Sequence, residues 1–163
     1  GEGKLAGAEE NDIYYYKGLC YRELGKESEA LSCFQKATVG SSEPAQAFFY
    51  NDQQPDKIFY QGLAWRALGD EKKARSRFNK LIKHGEKHLF DNCKIDYFAV
   101  SLPDLAIWEE DLNKRNLLHC NYVMGLGHLG LGNLMKAKSF LEEVRKLDVN
   151  HQGGQIHWNM CNK

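Results

Sequence analysis

The sequence predicts an all-α fold built from stacked pairs of antiparallel helices, and three observations support this class. Apolar residues recur at spacings of three and four along most of the chain, which is the period of an amphipathic helix. Leu-Gly steps interrupt this period, with Gly25, Gly69 and Gly132 placed to end a helix in the left-handed conformation. A seven-point pattern of small and large residues also occurs three times. We therefore expect repeated helix–turn–helix units.

The repeated pattern places its seven residues at successive offsets of 3, 3, 1, 5, 4 and 3. Its small residues are expected where the two helices of a pair approach closely, and its large apolar residues where one pair meets the next. A single pair of helices could not bury the apolar face that these residues form, so the pairs must stack. The three copies are Gly18, Tyr21, Leu24, Gly25, Ala30, Phe34 and Ala37; Gly62, Trp65, Leu68, Gly69, Ala74, Phe78 and Leu81; and Gly125, His128, Leu131, Gly132, Ala137, Leu141 and Val144.

On these residues the chain resembles the tetratricopeptide repeat family, whose units are about 34 residues long. The resemblance implies a right-handed α-α superhelix of antiparallel helix pairs, with units at 11–44, 55–88 and 118–151. We expect a single domain over 11–163, preceded by a flexible segment over 1–10 and closed by a capping helix over 152–163.

Residues 89–117, between the second and third units, are too apolar for a simple linker and are expected to form a helical insertion. We expect the last helix of the second unit to continue to about Val100. A break should follow from Ser101 to Pro103, because a proline disfavours helical conformation in the residue before it. A new helix is expected after Asp104 and could run into Leu118.

Charge and composition argue against several classes of partner. The 22 basic and 22 acidic side chains cancel, so the chain lacks the positive field that nucleic acids attract. No stretch reaches the roughly 20 apolar residues that span a bilayer. The five scattered cysteines favour reduced thiols, and hence a cytoplasmic location. We expect no nucleic-acid partner and no membrane partner.

The chain begins with Gly rather than Met, so we expect a piece of a longer polypeptide. Over its whole length it is loosely similar to the C-terminal repeat region of large bacterial proteins of uncharacterised, carbohydrate-associated type. That likeness implies an accessory role beside another domain.

Motifs that would indicate catalysis or a cofactor are better explained by packing or solvent exposure. Residues 125–130 spell G-x-G-x-x-G, but a dinucleotide-binding turn follows a strand, and these glycines lie within a helical period. His84 and His88 are one helical turn apart, yet no paired zinc-ligand spacing occurs. We expect no enzyme activity, no cofactor and no physiological metal site.

The family resemblance implies that the first helix of each unit lines a concave groove. A protein or peptide segment is the expected partner, because large rings and leucines in a groove are typical of a peptide-binding surface. Two alternatives stay open: an accessory domain supporting a carbohydrate-active domain, and a self-association module that makes a homo-oligomer. A further interpretation is that the insertion or the C-terminal tail fills the groove. The candidate groove residues are Tyr15, Leu19, Arg22, Phe59, Leu63, Arg66, Tyr122 and Leu126.

Overall fold

The computed structural model describes residues 9–46, 53–92 and 105–162, with side chains described from residue 112 onward in the last segment. Within these ranges all regular secondary structure is helical, which confirms the all-α class. None of the helices in these ranges is both long and apolar enough to cross a lipid bilayer. The helices are α1 (Asn11–Glu23), α2 (Glu27–Ala37), α3 (Pro55–Ala67), α4 (Glu71–His88), α5 (Leu105–Gly130), α6 (Leu134–Leu147) and α7 (Gln152–Met160).

The described helices form three antiparallel pairs, α1 with α2, α3 with α4 and α5 with α6, followed by α7. The first helices of the pairs pack side by side, α1 against α3 and α3 against α5. Each second helix also packs against the first helix of the next pair. This arrangement is an α-α superhelix in which the first helices form one layer, called here the first-helix layer.

The turn within each pair depends on a glycine in the left-handed conformation. Gly25, Gly69 and Gly132 have φ angles of 70°, 85° and 80°. Other residues adopt these angles at a cost, because their Cβ crowds the backbone. The N–H of the residue after each glycine donates to a carbonyl five residues earlier, at 2.9 Å in all three turns. These bonds satisfy carbonyls at the helix end, as the Leu-Gly steps predicted.

Within each pair a glycine allows a large side chain to reach the facing helix. Phe34, Phe78 and Leu141 are fully buried. Each lies where a Cβ on the facing glycine would collide with it: Gly18 for Phe34, Gly62 for Phe78 and Gly125 for Leu141. Phe78 also contacts Gly130 of the next pair, so for Phe78 the predicted position between two pairs is confirmed.

The glycines of residues 125–130 lie inside α5 and pack against neighbouring helices. Gly127 faces Ile82 and the backbone of Phe78 on α4, and Gly125 faces Leu141 on α6. In the same interface, Gly85 of α4 packs closely against the Met124 side chain and the backbone of α5. The string is therefore a helix-packing feature, as its helical period predicted.

The expectation that α4 continues to about Val100 is wrong, because α4 ends at His88. The carbonyl of His88 accepts from the N–H of Asp91 at 3.1 Å and from the Asn116 side-chain amide at 2.8 Å. A continuing helix would need the N–H of Asn92 at that carbonyl. The side-chain amide of Asn116 thus provides a hydrogen-bond donor for the last carbonyl of α4, where the helix ends.

The helix expected after Asp104 begins at Leu105 and runs through Leu118 to Gly130 as one element, α5. Part of the expected insertion and the first helix of the third unit are thus continuous. The expected break from Ser101 to Pro103 lies outside the described residues, as do residues 1–8. The boundaries of the three units stay predictions.

Candidate functional site

The candidate groove residues lie on the first helices of all three pairs, but only those on α1 and α3 keep exposed surface. On α1, Tyr15, Leu19 and Arg22 are partly exposed. On α3, Leu63 is partly exposed and the Arg66 side chain is 40% exposed. Tyr16 was not among the candidates. Its side chain is 43% exposed, and its ring contacts that of Tyr60 on α3.

Phe59, Tyr122 and Leu126 do not lie on an open groove wall, which corrects the expectation that all eight candidates face a concavity. They are 1%, 6% and 0% exposed and belong to the central core cluster. The reason for two of them is α7: the ring of His157 packs edge-on against Phe59, with centroids 5.3 Å apart, and bonds to the Tyr122 hydroxyl. At this point α7 of the C-terminal tail packs against the first-helix layer.

The two arginines beside the exposed strip are held by partners within the chain. Arg22 donates to the carbonyl of Ala67 at 3.1 Å, and its guanidinium lies 4.6 Å from the centroid of the Phe34 ring. Arg66 makes two hydrogen bonds to Glu71, at 2.8 and 2.9 Å. An acidic ligand at Arg66 would therefore compete with Glu71.

A chain of hydrogen bonds connects α1, α3, α7 and α5. The hydroxyls of Tyr16 and Tyr60 are 3.2 Å apart, and the Tyr60 hydroxyl lies 3.3 Å from Nε2 of His157. On the other side of the ring, Nδ1 of His157 lies 3.2 Å from the Tyr122 hydroxyl and 2.7 Å from the carbonyl of Gly153. Burial raises the pKa of both Tyr60 and Tyr122 and lowers the pKa of His157. Burial therefore favours the neutral forms of Tyr60, Tyr122 and His157.

A cavity of about 430 Å³ opens beside this chain, and we call it the α3–α5 cavity. It lies between the start of α3, the middle of α5 and the turn from α6 to α7. Its volume falls within the range of roughly 300–1,000 Å³ that is usual for ligand pockets. The lining residues are Gln46, Gln54, Pro55, Asp56, Arg115, Leu118, His119, Tyr122, Asp148, His151 and Gly153.

Among the described residues that line the α3–α5 cavity, the charged groups are two carboxylates and one guanidinium. Burial raises the pKa of Asp56 above its ordinary value, although Lys57 and His157 oppose the change. Asp148 accepts a hydrogen bond from the N–H of Asn150 at 2.9 Å. Arg115 is exposed and makes no ion pair with any residue that the structure describes.

His151 forms part of the cavity wall in its neutral form. Its Nδ1 accepts from the N–H of Gly154 at 2.8 Å, so the imidazole caps the start of α7. Burial lowers the pKa of His151, whereas Asp148 and Asp56 raise it. The ring stands edge-on to Tyr122, with centroids 4.7 Å apart.

Of the residues that line the α3–α5 cavity, the sequence analysis singled out Tyr122 as a binding residue and missed the others. Asp56 follows a proline at a helix start and His151 ends the third predicted unit, so neither position stands out from the sequence as a binding residue. Arg115 and Asp148 carry no motif. The sequence indicated this site only weakly. Polar and charged residues occur at the ends of the two segments between the predicted units, 45–54 and 89–117, where the repeat pattern is absent.

A second group of imidazoles lies at the contact of α4 with α5. The ring of His84 is 4.7 Å from that of His88 and 5.8 Å from that of His119, between centroids. Within residues 9–46, 53–92 and 105–162, no three His, Cys, Asp or Glu side chains are grouped closely enough to hold a metal ion.

Comparison with known proteins finds similarity in two segments and to one solved structure. The chain matches the structure described as the first TPR of Spaghetti (RPAP3) bound to HSP90 peptide SRMEEVD, at 18% identity and a TM-score of 0.30. The match covers 98% of this chain and 96% of that one, but so low a TM-score says nothing about fold or ligand. The family model described as tetratricopeptide repeat matches residues 12–38 and 58–84. These two segments lie on α1–α2 and α3–α4, so the similarity to the tetratricopeptide repeat covers the first two helix pairs.

Proposed function

We propose that the protein is a non-catalytic interaction module that binds a segment of a partner protein against its first-helix layer. The observation that carries this proposal is a strip of partly exposed apolar and aromatic side chains on α1 and α3. We call it the α1–α3 strip, and it consists of Tyr15, Tyr16, Leu19 and Leu63.

The strip has features that favour binding. Tyr15 and Tyr16 lie edge-on to each other with centroids 5.5 Å apart, and both rings contact Tyr60, so their positions are fixed before a partner arrives. Rigid aromatic side chains lose little conformational entropy on binding and are enriched at the centres of interfaces. Arg22 and Arg66 lie close enough to oppose the rise that burial causes in the pKa of Tyr15, so two guanidinium groups border the strip, that of Arg66 already paired with Glu71.

A peptide selection tests the proposal directly. Peptides would be selected from a random phage library on the intact chain, and their affinities measured by calorimetry. We expect the paired substitution Tyr16→Ala and Leu19→Ala to weaken binding at least tenfold, since interface anchors contribute more than about 1 kcal/mol each.

A matched control replaces two exposed apolar residues away from the strip, Met135 and Val149, which are 89% and 82% exposed. Their change to alanine should leave the affinity unaltered. The proposal is contradicted if no peptide is enriched, or if the control pair weakens binding as much as the strip pair does.

Origin in a large bacterial protein, support of a carbohydrate-active domain, a cytoplasmic location and self-association all stay predictions from the sequence. Light scattering over a range of concentrations tests self-association. A constant mass equal to one chain would contradict it.

A further inference from the structure

The described residues that line the α3–α5 cavity include more carboxylates than permanently charged basic groups. Two carboxylates, Asp56 and Asp148, line it against one guanidinium, that of Arg115. Arg115 is exposed to solvent, whereas Asp56 is largely buried. A carboxylate held away from water without a cation is costly, and the cost falls when a cation binds beside it.

The nearest lysine supplies that cation only in part, since the charge of Lys57 lowers the pKa of Asp56 but does not cancel the rise caused by burial. Lys57 follows Asp56 in the chain, but its ammonium group bonds to Asp12 of α1 at 2.7 Å. That bond joins α1 to α3 and directs the lysine side chain toward α1. Asp56 keeps a hydrogen bond from the N–H of Lys57 and has no ion pair with any described residue.

The two rings beside Asp56, those of Tyr122 and His151, already have hydrogen-bond partners. The hydroxyl of Tyr122 bonds to His157, and Nδ1 of His151 accepts from Gly154. The Tyr122 and His151 rings form an aromatic wall beside the carboxylate. Such a wall packs favourably against the alkyl stem or the flat guanidinium of a basic side chain.

From this arrangement we infer that the α3–α5 cavity binds a lysine or arginine side chain of the partner segment, with Asp56 as its counter-ion. For its partner the inference rests on the proposed function. Two carboxylates line the cavity against one exposed guanidinium, so a cation is the occupant that the charges favour. Arg115, at the solvent side, is placed to pair with an acidic residue next to the basic one.

A titration with small probes tests the cavity without knowledge of the partner. The probes are N-acetyl-arginine amide and N-acetyl-lysine amide, which carry one positive charge and no carboxylate. N-acetyl-norleucine amide is the neutral control and N-acetyl-aspartate amide the anionic one. Proton–nitrogen NMR spectra of the intact chain should show saturable shifts with the cationic probes at the amides of Asp56, Lys57, Tyr122 and Gly153.

The substitution Asp56→Asn should weaken binding of the cationic probes about tenfold, which is about 1.4 kcal/mol. Because burial already raises the pKa of this carboxyl, a neutral amide there should leave the unfolding temperature unchanged or raise it. Glu142→Gln is the matched control, since Glu142 is an exposed carboxylate on α6 outside the cavity. If Asp56→Asn does not fold, Asp148→Asn takes its place with the same expected direction.

Three results would overturn the inference: no saturable shift with either cationic probe, stronger binding of the anionic or neutral probe, or equal binding by wild type and Asp56→Asn. The peptide selection separates this failure from failure of the proposed function. Selected peptides that lack basic residues and bind Asp56→Asn normally would refute the cation site alone. Probe binding at the cavity without any selected peptide would refute the proposed function alone.

Discussion

At the scale of single residues, glycines set how closely α4 and α5 pack. A Cβ on Gly127 would lie 2.5 Å from Cγ1 of Ile82 and 2.7 Å from the carbonyl oxygen of Phe78. A side chain can move, but the carbonyl belongs to a helix backbone and cannot move without displacing α4. The glycine is therefore required by packing between helices.

We expect Gly127→Ala to lower the free energy of unfolding by about 1–3 kcal/mol, the usual cost of overfilling a packed interior. In an isolated helix the same change would add about 1 kcal/mol of stability, so the two effects have opposite signs. Urea unfolding measures the difference. Ser139→Ala, at an exposed position of α6, is the control. A stabilised Gly127→Ala variant would refute the packing role.

His84 makes stability depend on pH. Burial lowers its pKa to about 4, and His119, His88 and Lys87 act in the same direction, whereas Asp91 opposes them. The unfolded chain binds a proton at His84 near its ordinary pKa of 6.5, but the folded chain does so only near 4. Stability contributed by the neutral ring is thus lost as the pH falls from 6.5 towards 4.

We expect the urea midpoint to fall between about pH 7 and about pH 4, and to fall less in His84→Gln. Burial lowers the pKa of His128, His151 and His157 as well, so these residues add to the loss. The raised pKa of Asp56 acts in the opposite direction. Equal declines in wild type and His84→Gln would show that His84 does not contribute.

At the scale of helices, α7 packs against α5 and α6 of the third pair and contacts α3 through His157. Trp158 packs against the core, with the Arg145 guanidinium 4.2 Å and the Lys138 ammonium 5.2 Å from its ring centroid. His157 joins α3 and α5 through Tyr60 and Tyr122. In repeat structures each unit contacts only the adjacent units, so these contacts should stabilise the adjoining helices and not the distant ones.

We expect Trp158→Ala to speed hydrogen exchange in α7 and in the adjoining part of α5, while α1 and α2 exchange at the wild-type rate. Mass spectrometry of exchanged fragments gives the comparison. Ile156→Ala is the control on the same helix, because Ile156 is 52% exposed. Uniformly faster exchange through the whole chain would contradict a local role for α7.

The helices differ in how far their ends could be predicted. The ends at Gly25, Gly69 and Gly132 depend on residues within one turn, and the sequence predicts them. The end of α4 at His88 depends on Asn116, which is 28 residues away in the chain. A local pattern of apolar residues contains no information about that bond, so the pattern predicted a longer helix.

At the scale of the whole molecule, the stacking of pairs follows from the repeat pattern because glycine and its large partner recur at fixed distances. The site was less predictable. Whether Phe59 and Tyr122 face solvent depends on where α7 docks, and α7 lies outside the repeated pattern. The α3–α5 cavity needs residues from four separate stretches of chain, which only the folded structure brings together.

The proposed binding surface is the first-helix layer. The most direct test is the NMR spectrum of the intact, assigned chain titrated with a selected peptide. We expect the largest shifts on α1 and α3, extending to the amides of Asp56 and Tyr122 when the peptide contains a basic residue. Shifts confined to α2, α4 and α6 would place the partner on the opposite side and contradict the account.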